Sequence, residues 1–116
     1  MGPNLYYMEV EGKNCLVLFW RGQSRLNAVS RLEITATISA LQDKNLIDEQ
    51  QAEELFRRLH TADISGLAVP VEELSGVWKK LADEFPKHTK SPVLLDMRER
   101  INRAIEANEQ VVTEAR

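Results

Sequence analysis

At 116 residues, with 43% hydrophobic and 28% charged residues, the chain has the size of one globular domain and is too apolar for a disordered one. A net charge of −3 and a pI near 5.4 fit neither the basic balance of a duplex-binding protein nor the acidity of a DNA mimic. The longest apolar run, Leu16 to Trp20, is too short to cross a bilayer, no basic-then-apolar leader opens the chain, and the lone Cys15 has no internal disulfide partner, so a reduced cytoplasmic protein is expected.

Met1-Gly2-Pro3 reads as a tag-cleavage remnant without a structural role, and residues 4–116 as a single domain. Leu5-Tyr6-Tyr7-Met8-Glu9-Val10 and Cys15-Leu16-Val17-Leu18-Phe19-Trp20 are rich in β-branched and aromatic residues. They flank Glu11-Gly12-Lys13-Asn14, which predicts a β-hairpin that needs helices across one face. From Arg25 to about Lys44, Leu26, Val29, Leu32, Ala36 and Ala40 form one helical stripe. Ile34, Ile38 and Leu41 form another, which predicts a central helix stopped near Asn45. Asp48-Glu49-Gln50-Gln51 is a capping-box pattern that opens a helix over Glu49 to His60 with Ala52, Leu55, Phe56 and Leu59 on its apolar side.

Thr61 to Val71, with Gly66 and Pro70 among apolar residues, predicts a loop. Glu72 to Phe85 predicts a helix carrying Leu74, Val77, Trp78, Leu81 and Phe85, modestly weakened by Gly76. Ser91-Pro92 starts a last helix to about Glu114 with Leu94, Met97, Ile101, Ile105 and Val112 along its core face. The expected fold is α+β and mainly helical, an N-terminal hairpin packed on about four helices.

His60, His88 and Cys15 lack metal-ligand spacing, and no phosphate loop, nucleophile elbow or zinc-protease pattern is present. Neither a metal, a cofactor nor an enzymatic activity is expected. Glu53, Glu54, Asp83 and Glu84 are expected on solvent faces, and Trp20 and Trp78 in the core. Lys87, Lys90, Arg98, Arg100 and Arg103, with Lys79 and Lys80, form a candidate basic surface. Asp96, Glu99 and Glu106 interleave with them at helical spacings, which favours a solvated helix over phosphate contact. The candidate partner-binding segment is the apolar loop with Leu67, Val69, Pro70 and Val71. There Pro70 either opens the next helix in trans or adopts cis. In a docking loop its isomer would control binding, which makes a host prolyl isomerase a candidate second partner.

Across residues 4 to 116, and most clearly in Asn4-Leu5-Tyr6-Tyr7-Met8-Glu9-Val10-Glu11-Gly12 and Ile64-Ser65-Gly66-Leu67-Ala68-Val69-Pro70-Val71-Glu72-Glu73-Leu74, the sequence resembles the anti-RecBCD proteins of lambdoid phages. The resemblance implies a non-enzymatic phage protein of the host bacterial cytoplasm. It would bind the RecBCD helicase-nuclease, with RecC as the contact, and redirect DNA-end processing toward phage recombination. It carries over no catalytic or contact residue. The alternative is a small DNA-binding regulator that uses the arginines of the last helix, and a structural subunit ranks third.

Overall fold

The structure, a computed structural model, describes residues 4–114, with side chains as far as Asn108, so Met1-Gly2-Pro3 and the side chain of Val112 lie outside the described residues. The expected hairpin forms from β1 (Tyr7–Val10) and β2 (Lys13–Phe19), antiparallel, with Met8 opposite Cys15 and Val10 opposite Lys13. Its turn is tighter than the sequence suggests. Glu11 (φ 52°) and Gly12 (φ 80°) both take the left-handed conformation of a two-residue hairpin turn, whose twist matches that of the strands, and this places Lys13 and Asn14 in β2.

The segment expected as a loop is instead a short helix followed by a strand. Leu67–Pro70 forms β3, antiparallel to β2, in a sheet of order β1-β2-β3. Locally the segment looks irregular because Gly66 and Pro70 bracket it. Pairing with a strand far upstream satisfies backbone groups of β2 that would otherwise be buried without partners. Gly66 makes the approach possible: at φ 71°, a Cβ would lie 2.8 Å from the Arg21 nitrogen and 3.0 Å from the Phe19 oxygen.

Helices cover one side of this sheet. In α1 (Ala28–Asp43) the Asn27 side chain accepts from the Ser30 amide at 2.8 Å, and Asn45, at φ 58°, ends the helix. Only the stripe with Ile34, Ile38 and Leu41 is buried; Val29 and Leu32 are 61% and 71% exposed, so α1 flanks the core instead of crossing it. The capping box at the start of α2 (Glu49–His60) is complete, with Gln51 N–H donating to Asp48 Oδ1 at 2.8 Å and Asp48 N–H donating to Gln51 Oε1 at 3.0 Å. A short α3 (Ala62–Ser65) leads into β3, and Arg31 of α1 pairs with Asp63 and donates to the His60 carbonyl at 3.1 Å.

The helix expected over residues 72–85 is broken. A 3-10 turn (Val71–Glu73) runs into a π-helical stretch (Leu74–Trp78) in which Gly76 is non-helical (ψ −123°), and α4 (Lys79–Glu84) and a second 3-10 turn (Phe85–Lys87) follow. Gly76 thus kinks the segment rather than merely weakening it. In α5 (Pro92–Glu114), Leu94, Met97 and Ile101 are buried beside Leu16, Leu18 and Val69 of the sheet, and Ile105 packs against them. Trp78 is buried as expected, and the Arg58 guanidinium lies 5.4 Å from its ring centre.

Glu84 departs from its expected solvent position. It is buried, and Lys44 Nζ at 2.6 Å, His88 Nε2 at 3.0 Å and Lys87 Nζ at 3.5 Å surround its carboxylate. Burial pushes its pKa up, but hydrogen bonds from Lys44 and His88 and the charges of Lys44 and Lys87 outweigh that and hold it at about 2. The same contact raises the pKa of Lys44. This carboxylate therefore joins the end of α1 to α4 and to the approach to α5.

Candidate partner-binding face

Strand alternation and the observed register sort the sheet residues onto two faces. Leu16, opposite Tyr7 and Val69, points toward the helices, and both Leu16 and Val69 belong to the core. Met8, Val10, Cys15, Val17, Ala68 and Pro70 fall on the other face, with Lys13, opposite Val10 and paired with Glu72, at its hairpin end. Cys15 and Val17 are buried yet outside the core cluster, so the side chains of their own layer bury them. Of the described helices only the end of α3, at Ser65, borders a groove on this face.

A solvated sheet face is ordinarily polar. Here, apart from Lys13 at the hairpin end, it is apolar, and large side chains stand out from it: Met8 is 42% exposed, Val10 39% and Trp20 42%. Trp20 is the second tryptophan expected in the core. The register of β2 shifts between Val17 and Phe19 and the strand ends there, so Trp20 leaves the sheet and meets the Tyr6 ring edge-on, with centroids 6.1 Å apart. Met8, Val10, Val17, Trp20, Ser65 and Ala68 contribute to a shallow groove of about 400 Å³. Sequence reading missed this site, although the unbroken apolar run Cys15-Leu16-Val17-Leu18-Phe19 was its signal: a strand with one wet face alternates, and this one does not.

The residues expected to bind a partner divide. Leu67 and Val69 are core residues, and Val71 packs against the core. Pro70 alone reaches the outer face, half-buried opposite Cys15, and the Val69–Pro70 bond is trans. The candidate basic residues do not converge either. Lys87 and Lys90 are exposed ahead of α5, and Lys87 is drawn to Glu84. Residues two apart on an α-helix point about 160° from each other, so Arg98 and Arg100 flank the buried stripe of α5 on opposite sides, and both Nε atoms are buried. Arg103 is paired with Glu99 at 3.1 Å.

Among the described residues, no three His, Cys, Asp or Glu side chains gather as a metal site would require, and no helix is long and apolar enough to cross a membrane. His60 stacks on Phe56 with ring centroids 6.0 Å apart, and His88 is held by Glu84, so each has a structural contact. No protein-family model, curated protein or solved structure matches the chain.

Proposed function

We propose that the protein works by docking on another protein through the outer face of its sheet, without chemistry of its own. The observation that carries this reading is the apolar, uncovered face centred on Met8, Val10 and Trp20, where an ordinary sheet would present polar side chains to water. The resemblance described above supplies the partner: RecBCD of the host bacterial cytoplasm, met through RecC, with its DNA-end processing redirected toward phage recombination. Pro70 sits on the same face, and a host prolyl isomerase acting there is a second proposed partner.

Capture of purified RecBCD on the immobilised chain across a salt series tests the reading. Association through an apolar face should persist at moderate salt, whereas phosphate-dominated binding to DNA weakens steeply as counterions compete. Met8→Asp and Trp20→Ala should abolish capture while the protein stays folded. Unchanged capture by both variants, or tight salt-sensitive binding to naked DNA with no RecBCD association, rejects this function in favour of the arginine-based alternative.

A further inference from the structure

We propose that the free edge of β1 accepts an extended cationic segment of a protein partner as a fourth strand of the sheet. This rests on the docking reading and names the kind of segment that docks. The hairpin turn closes on the Val10–Lys13 pair, and Val17 N–H donates to the Tyr6 carbonyl at 2.8 Å, so Tyr6, Met8 and Val10 direct their backbone groups at β2. The alternation turns the N–H and C=O groups of Tyr7 and Glu9 outward, where no described residue pairs with them. The opposite edge is closed: the Ala68 carbonyl of β3 accepts from Arg58 Nη2 at 2.8 Å, and Pro70 has no N–H. Of the two edges, only that of β3 has its outward backbone groups occupied or removed.

An added strand would present alternate side chains to two different surfaces. One row continues Met8 and Val10 across the apolar face. The other passes Glu9 and a cleft of about 480 Å³ beside Leu5, lined by Glu99, Asn102, Arg103 and Glu106. Arg103 is held by Glu99, whereas Glu9 and Glu106 have no cationic partner among the described residues. The fitting occupant therefore alternates apolar residues with lysine or arginine. The same acidic groups, on a chain of net charge −3, disfavour a second copy of this protein.

The probe is a short synthetic peptide alternating valine and lysine, titrated into the isotopically labelled full chain by NMR. The Tyr7 and Glu9 amides should shift and gain protection from exchange. Binding should weaken by about tenfold when the edge-pairing peptide nitrogens are methylated, and by a similar factor when glutamate replaces lysine. Glu9→Pro removes an outward N–H together with the Glu9 carboxylate and leaves the bonds to β2 in place, so it should keep the hairpin and the Tm while lowering peptide affinity by about tenfold or more, and Glu9→Gln, which removes the charge alone, should lose less. The methylated peptide leaves the protein unaltered, so the test stands even where a variant folds poorly. No binding, binding that survives methylation, or a dimer formed through β1 in sedimentation overturns the proposal. Loss of RecBCD capture in Trp20→Ala alongside full capture by Glu9→Pro would remove the fourth strand and leave the docking face in place.

Discussion

Val17 and Val69 sit on strands that pair with each other, and both are almost fully buried, yet they occupy different environments. Val69 belongs to the core that the sheet shares with the helices, and Val17, opposite Ala68, lines the groove on the outer face with Met8. Burial measured residue by residue does not separate the two. What separates them is the layer beyond: the inner face has one and the outer face, among the described residues, has none. A low exposure thus reports interior on one side of this sheet and an unoccupied surface on the other.

The largest expected effect tests the layer that makes the inner face an interior. Glu84 titrates at about 2 in the folded protein against an ordinary value of 4.5, so its contribution is complete above about pH 4.5 and is lost as pH falls toward 2. The shift corresponds to about 3 kcal/mol, because each unit of pKa is worth about 1.4 kcal/mol. Denaturant melts at pH 6 and pH 3 should show most of that loss in the native chain, and Glu84→Gln should flatten the dependence. A variant whose stability falls with acid as steeply as the parent's would show that other carboxylates hold the helices in place.

A second pair of substitutions sharpens the contrast directly. Val69→Thr sets a hydroxyl among apolar core side chains and should cost about 2 kcal/mol. Val17→Thr sets the same hydroxyl at the lining of an open groove, where water or a neighbouring backbone group can satisfy it, and should cost less than Val69→Thr, about 1 kcal/mol, while still weakening partner capture. Equal losses by urea denaturation would mean that the outer face is as much an interior as the inner one.

The sequence was most legible where structure is local. The capping box fixes α2 at Glu49 because its two hydrogen bonds lie within one turn, and Asn45 ends α1 for the same reason. The hairpin followed from a short turn between two apolar runs. Legibility failed where the partner is remote. Nothing near Leu67 announces that it will pair with Phe19, and nothing near Glu84 announces that Lys44 will arrive to bury it. The stripes of α1 showed that two of its faces are apolar but not that Val29 and Leu32 would face water. The candidate partner-binding residues divide between core and surface for a related reason. The loop signal at Gly66 and Pro70 drew attention to residues 67–71, whereas the telling feature was the missing alternation in β2.

The smallest expected effect concerns Pro70, the one residue of that segment on the outer face. Its φ of −53° is one that alanine adopts readily, and its position on the β3 edge means that a restored N–H would point away from β2, so Pro70→Ala breaks no ladder bond. The substitution frees the unfolded chain and should cost about 0.5 kcal/mol. It also removes ring carbons beside Cys15, so partner affinity should fall by about threefold, since a half-buried residue at the rim of a docking face contributes less than its centre. Calorimetry on the folded variant separates the two quantities. Unchanged affinity would confine the docking face to the β1 side of the sheet, around Met8, Val10 and Trp20. A loss far larger than threefold at the same stability would mean that Pro70 acts through more than its contact area, as a proline handled by an isomerase would.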